Sequence, residues 1–295
     1  MPNAILKPRP APLRPHSMQI LPPKKRIKTR YTARTADRFD LYQIAVQSPE
    51  NDLSFLSRVY RRWNGAAPLH LREDFCGTAL LSANWVQGAG RTAEGFDLDA
   101  ETIAWGSLHN LQSLGARASR VQLHCKDVRA AGRPADLRIA QNFSYWAFKE
   151  RCELLAYFRR ARAGLARGGL FAIDVYGGSD AFVELEDTKR LDEGFTYVWE
   201  QERYLPGTGE YTCHIHFRFR DGSEMRRAFT YHWRLWTLPE LFDLLREAGF
   251  ARVETWFEQS DDEKDGQGNG SFALDPSGET CLDCSAWIAY LVAGA

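Results

Sequence analysis

The chain has 295 residues, enough for one large α/β domain with insertions or two modest domains, and its 44% hydrophobic and 26% charged residues are ordinary for a globular protein with a real core. Lys plus Arg and Asp plus Glu both number 38, so the whole-molecule charge offers no argument for a nucleic-acid or membrane partner. No apolar run nears the roughly 20 residues that span a bilayer, and the N-terminus lacks a secretory apolar stretch, so a cytoplasmic protein is expected.

Residues 1–29 read as a disordered, basic, Pro-rich tail. Pro2, Pro8, Pro10, Pro12, Pro15, Pro22 and Pro23 stop regular structure, and Lys24-Lys25-Arg26-Ile27-Lys28 matches a polyanion-binding pattern as well as a solvated tail. An ordered domain is expected over 30–292, opening with helices in 30–66. Phe39, Tyr42 and Val46 have helical spacing, which predicts a helix over 32–47. Ser48-Pro49-Glu50 starts the next helix, Leu53, Leu56, Val59, Tyr60 and Trp63 form its apolar stripe, and Asn64-Gly65 ends it.

Strands and helices then alternate. Strands are expected at His70–Phe75, Ala93–Leu98, Val121–Lys126, Leu137–Asn142 and Leu170–Tyr176, with helices at Ala79–Gln87, Ala100–Leu114 and Lys149–Ala166 between them. This order implies a doubly wound, mostly parallel, Rossmann-like α/β sheet with right-handed crossovers. At 195–235 the pattern changes to a three-stranded antiparallel insertion: Phe195–Leu205, Tyr211–Arg220 and Glu224–Leu235, separated by Gly207-Thr208-Gly209 and Asp221-Gly222-Ser223. A capped helix from Thr237 to Gly249 follows, then strands at Arg252–Glu258 and Trp287–Val292, with a mobile acidic, Gly-rich loop expected over 261–270. Cys281 and Cys284 form one C-x-x-C, for which His214 and His216 are the conceivable further ligands. Without a second pair at matching spacing no metal is assigned.

Open parallel sheets bind ligands at the carboxyl ends of their strands. Gly77 follows the first strand, where a glycine lets backbone approach a ligand. It stands alone, which disfavours a dinucleotide loop, and no P-loop pattern occurs. Asp97 ends the second strand, where a carboxylate can accept both ribose hydroxyls of a nucleoside, with Asp99 as competitor. Asp127 ends the third strand, suited to an adenine amino group, and Asn142-Phe143-Ser144 ends the fourth. Singly, Asp97 and Asp127 read equally as caps or turn residues.

With Glu73, Cys76-Gly77-Thr78, Asp97, Asp127, Gly168-Gly169 and Ala248-Gly249-Phe250 in this order, the chain resembles class I S-adenosylmethionine-dependent methyltransferases. The departures are Phe75 and Ala79, which stand where the family's outer glycines would be. The resemblance implies S-adenosyl-L-methionine as cofactor, held by Glu73, Phe75, Cys76, Gly77, Thr78, Asp97, Leu98, Asp127, Val128, Asn142 and Phe143. The insertion is similar to that of small-molecule N-methyltransferases, where it roofs the active site or pairs two subunits. What this implies is methyl transfer to an N or O nucleophile of a small molecule, with a homodimer as a further expectation. The alternatives are an RNA or protein methyltransferase docked by the basic tail, and a non-catalytic cofactor-binding protein.

The substrate wall is expected from Tyr31, Tyr145, Trp146, Tyr176, Tyr231 and Arg234. Strand alternation gives the insertion one aromatic face (Phe217, Phe219, Phe229, Tyr231, Trp233) and one polar face (His214, His216, Arg218, His232, Arg234). If the polar face looks into the cleft, the substrate is anionic, His232 is the candidate base and Arg234 the anchor. If the aromatic face packs inward, the polar face meets water.

Overall fold

The computed structural model describes residues 31–260 and 268–295. The basic tail lies outside the described residues, as do 261–267. The first helix, α1 (Arg38–Val46), starts later than its apolar spacing predicts, because the Asp37 carboxylate accepts the N–H groups of Phe39 and Asp40 and fixes the first turn there. The second, α2 (Pro49–Asn64), begins at Pro49 and ends on Gly65, whose φ of +68° is the left-handed conformation that terminates helices.

Five strands follow in parallel: β1 (His70–Asp74), β2 (Thr92–Asp97), β3 (Val121–Cys125), β4 (Ala135–Ala140) and β5 (Leu165–Gly177). Between them run α3 (Leu80–Trp85), α4 (Ala100–Gly106), which continues as π and 3₁₀ turns to Arg120, and α5 (Arg151–Ala163). A further strand, β6 (Leu185–Arg190), precedes the three expected ones, β7 (Phe195–Leu205), β8 (Glu210–Phe219) and β9 (Glu224–Arg234), so the antiparallel insertion has four strands in the order β6-β7-β8-β9. The chain closes with α6 (Leu238–Glu247), β10 (Arg252–Ser260), β11 (Gly268–Leu274) and β12 (Trp287–Gly294). Residues 268–270, expected in a loop, belong to β11. The main sheet has the order β11-β10-β12-β5-β4-β1-β2-β3, with β12 antiparallel to β5.

Both faces of the main sheet are covered, as a doubly wound fold requires. One face packs on α2 and α3 through Leu53, Leu56, Val59, Leu81 and Trp85. The other packs on α5 and α6 through Leu154, Phe158, Leu241 and Leu244. Burial of each such side chain contributes roughly 1.5–3 kcal/mol. A smaller core joins α1 to the aromatic face of the insertion through Leu41, Phe195, Ile215 and Phe217. The insertion thus stands over the carboxyl ends of the parallel strands, with α1 beside it.

The Arg72-Glu73-Asp74 run of β1 illustrates how strand alternation distributes charge. Arg72 and Asp74 share one face and Glu73 takes the other. Asp74 accepts Arg72 Nε at 2.8 Å, and from the register partner of Arg72 on β4 it accepts Arg138 Nε at 2.6 Å. Tyr157 of α5 donates to the same carboxylate at 2.8 Å. Both guanidinium groups then donate to the Val128 carbonyl at 2.7 Å, so a buried ion network ties the loop after β3 to the sheet centre.

Candidate active site

The loop after β1 carries three left-handed residues: Phe75 (φ 55°), Gly77 (φ 51°) and Ala79 (φ 55°). For the two non-glycines this conformation costs roughly 1–2 kcal/mol each. Surrounding contacts hold it. Thr78 accepts Gln43 Nε2 at its hydroxyl (2.7 Å) and Asn110 Nδ2 at its carbonyl (2.8 Å). Gly106 lets α4 lie directly on this loop, since a Cβ there would come within 2.2 Å of the Thr78 carbonyl oxygen.

Asp97 meets this loop. Its Oδ2 accepts the Gly77 N–H at 2.8 Å and its Oδ1 the Asp99 N–H at 2.9 Å. The carboxylate is thereby oriented, with lone pairs left for two further donors. Phe75, Cys76, Gly77, Thr78, Asp97 and Asn142 line a single cavity of about 550 Å³, which residues of α1 and β9 also line. Gln47 is on the same wall, and its buried Oε1 has no hydrogen-bond partner among the described residues. A glycine turn, an oriented carboxylate and an orphaned acceptor in one nucleoside-sized hollow fit S-adenosyl-L-methionine.

Other expected cofactor residues are placed differently. Glu73 is turned away from the cavity: its Oε2 accepts both the N–H (3.0 Å) and the hydroxyl (2.5 Å) of Ser82 at the start of α3, and burial raises its pKa to about 7 against those bonds. Asp127 follows β3 at the same sheet edge, but its carboxylate is gripped by Arg129 at 2.6 and 2.9 Å, which holds it below its usual pKa range, and it does not line the cavity. Val128 is buried, with its carbonyl taken by the two arginines. Leu98 is 70% exposed beyond the rim.

A second cavity of about 370 Å³ adjoins the first, and Tyr42, Asn142, Tyr231 and Trp233 line both. Phe143 and Tyr176 belong to this second cavity alone. Asp174 accepts the N–H groups of Asn142 (2.7 Å) and Phe143 (3.0 Å), pinning both residues in left-handed backbone, and its burial raises its pKa to about 7. The insertion supplies Tyr197, Trp199, Tyr231 and Trp233, with the last two rings stacked at 4.3 Å. Gln201 fixes this wall: it accepts Trp199 Nε1 (3.2 Å) and the Tyr176 hydroxyl (3.4 Å) and donates to the carbonyls of Asp180 and Val183. Burial raises the Tyr42, Tyr176, Tyr197 and Tyr231 hydroxyls far above their ordinary pKa, so they donate hydrogen bonds and do not act as bases.

The aromatic face of the insertion therefore looks inward, which corrects the polar-face assignments. His232 is exposed on the opposite side of β9 from Tyr231 and Trp233 and lines neither cavity. Arg234 donates to the Lys149 carbonyl (3.1 Å) and Glu240 (3.3 Å) and lies over the Trp236 ring, outside both cavities. Tyr145 and Trp146 are fully buried beneath the loop after β4, with the Tyr145 hydroxyl on the Asp174 carbonyl. Tyr31 precedes α1 and packs edge-on against Phe195. His214 and His216 are buried and bonded to Glu202 (3.0 Å) and Glu200 (2.7 Å), and among the described residues no group of three or more His, Cys, Asp or Glu is placed to hold a metal.

Sequence reasoning missed the contributions of Tyr42, Gln47, Tyr197, Trp199 and Gln201. The helical spacing of Phe39, Tyr42 and Val46 was the available signal for α1. It marks an apolar face, and only tertiary packing shows that this face covers a cleft.

No family model matches the chain, and no curated protein matches it. Among solved structures it is similar to an S-adenosylmethionine-dependent methyltransferase from Clostridium acetobutylicum (TM-score 0.60, 17% identity, 87% of this chain and 98% of the other). It is likewise similar to CalS10, an amino pentose methyltransferase of Micromonospora echinaspora described as SAM-bound (0.58, 16%, 85% and 95%), and to the sugar N-methyltransferase KedS8 from Streptoalloteichus (0.56, 16%, 96% and 99%). At these identities the likeness establishes the fold.

Proposed function

We propose that this chain is an S-adenosyl-L-methionine-dependent methyltransferase acting on an N or O nucleophile of a small molecule. The observation that carries the proposal is the pair of adjoining cavities with a shared wall at Tyr42, Asn142, Tyr231 and Trp233. The bound cofactor supplies an activated methyl group. Asp97 would take the ribose hydroxyls, Gly77 would allow close backbone approach, and Gln47 and Asn142 would meet the amino-acid end. The role of the chain is to align two reactants and exclude water, which is where most of the rate in such a transfer comes from.

A cavity of about 370 Å³ lined largely by aromatic side chains suits a small molecule better than an RNA or protein surface. The likeness to solved methyltransferases, among them an amino pentose methyltransferase and a sugar N-methyltransferase, supports the same reading. A cytoplasmic location and pairing of two copies through the insertion belong to this proposal. Among the described residues no helix is long and apolar enough to cross a membrane. Titration calorimetry with S-adenosylhomocysteine is the test: micromolar binding at one site per chain is expected, and no binding would refute the assignment.

A further inference from the structure

Resting on that reading, we infer that the methyl acceptor is an amine with an apolar body, and that the second cavity is built to hold the cation that methylation makes of it. Tyr42, Tyr176, Tyr197, Trp199, Tyr231 and Trp233 line this cavity, with Trp199 at 6.1 Å from Tyr231 and 6.3 Å from Trp233 between ring centres. The charged lining residues are Asp180, Asp187 and Glu258, and among the described residues no Lys, Arg or His lines it. Lys189 acts on Glu258 from outside the lining. Ring faces and carboxylates together attract a cation and repel a carboxylate or phosphate. The rest of the wall includes the aliphatic side chains of Val46, Leu185 and Ile215, and Gln201 spends its polar atoms on the wall itself.

The junction of the two cavities decides between nitrogen and oxygen. Its shared residues offer tyrosine hydroxyls, an indole and an amide, none of which takes a proton near neutral pH. A hydroxyl acceptor needs such a base. An amine that arrives as its ammonium first gives one proton to solvent, and the neutral amine then needs no base in the transfer itself. Its lone pair forms the new C–N bond as the S–C bond breaks, the positive charge passes from sulfur to nitrogen, and a neutral thioether is left. A primary or secondary amine then releases its extra N–H proton to solvent. A tertiary amine has none to lose and ends as a quaternary ammonium, the cation that aromatic walls hold best.

The test is calorimetry on the full chain saturated with S-adenosylhomocysteine, using benzyltrimethylammonium, its uncharged carbon analogue neopentylbenzene, and phenylacetate. The ammonium is expected to bind about tenfold or more tightly than neopentylbenzene, and phenylacetate more weakly than either. Trp199→Leu is expected to abolish most of that preference, and Asp187→Asn, at an exposed position that leaves the fold intact, to reduce it about threefold. Equal affinity for the ammonium and its carbon analogue, a preference for phenylacetate, or full preference retained in both variants overturns the amine assignment. Those outcomes leave the cofactor reading standing, because saturation by S-adenosylhomocysteine is measured first. Failure at that first step overturns the reading beneath.

Discussion

Replacing Asp74 by Asn removes one negative charge from between two guanidinium groups while preserving side-chain shape. The side chains of Arg72, Asp74 and Arg138 are each at most 1% exposed, so water cannot replace the lost charge without opening the core. Breaking a buried ion pair by removing one partner costs about 3–5 kcal/mol. Two pairs share this carboxylate, but they are coupled and their costs do not add. The carbonyls of Val128, Ala130 and Arg160 and the Phe96 ring continue to hold the guanidinium groups, which keeps the loss near the single-pair range. With a urea m-value of about 3 kcal/mol/M, the unfolding midpoint is expected to fall by about 1–2 M. Tryptophan fluorescence and far-UV circular dichroism follow the transition. Because both arginines grip the loop after β3, amide exchange at Val128–Ala130 is expected to quicken as well. A midpoint within about 0.3 M of the parent would show that the network is energetically neutral and that the argument from burial is wrong.

Asp97→Ala is expected to weaken S-adenosylhomocysteine binding by about thirtyfold or more, the equivalent of one or two charge-assisted hydrogen bonds, with an unchanged circular dichroism spectrum; unaltered affinity would remove Asp97 from the site. Gln201→Leu is expected to loosen Trp199 and Tyr176 and weaken benzyltrimethylammonium about tenfold with cofactor-product affinity retained, whereas equal loss of both would mark general damage. The buried carboxyls of Asp52 (raised to about 6), Glu73 (about 7) and Asp174 (about 7) bind protons in the folded state that the unfolded chain has already released. Their contribution to stability is therefore full near pH 4, declines as pH rises, and levels off above about pH 7. Urea midpoints across that window measure the slope, and a Glu73→Gln variant whose slope equals the parent's would contradict the assignment.

The parallel core was legible because short strand-like segments recur between longer helical ones, even though β1 carries Arg72, Glu73 and Asp74. β6 was not, since Glu186, Asp187, Lys189 and Arg190 give an edge strand no apolar alternation. β11 was hidden by Gly268 and Gly270, residues that normally mark a turn. At the site, Gly77 and Asp97 could be placed by their positions after strands. The capture of Asp127 by Arg129, two residues on, could not be read, because spacing does not reveal which of several partners a side chain takes. Alternation sorted the insertion into two faces, but choosing the inward one required packing: Tyr231 and Trp233 bury against the sheet, which leaves His232 outside.

The turn at Phe75 and Ala79 separates shape from spelling. Positive torsion angles at these two positions reproduce a bend ordinarily written with glycine, enforced by Gln43, Asn110 and the close approach of Gly106. Handedness at such a turn is set by the contacts around it as much as by the residue that adopts it, so a loop without glycine at these two positions bends this way as long as its neighbours insist on it.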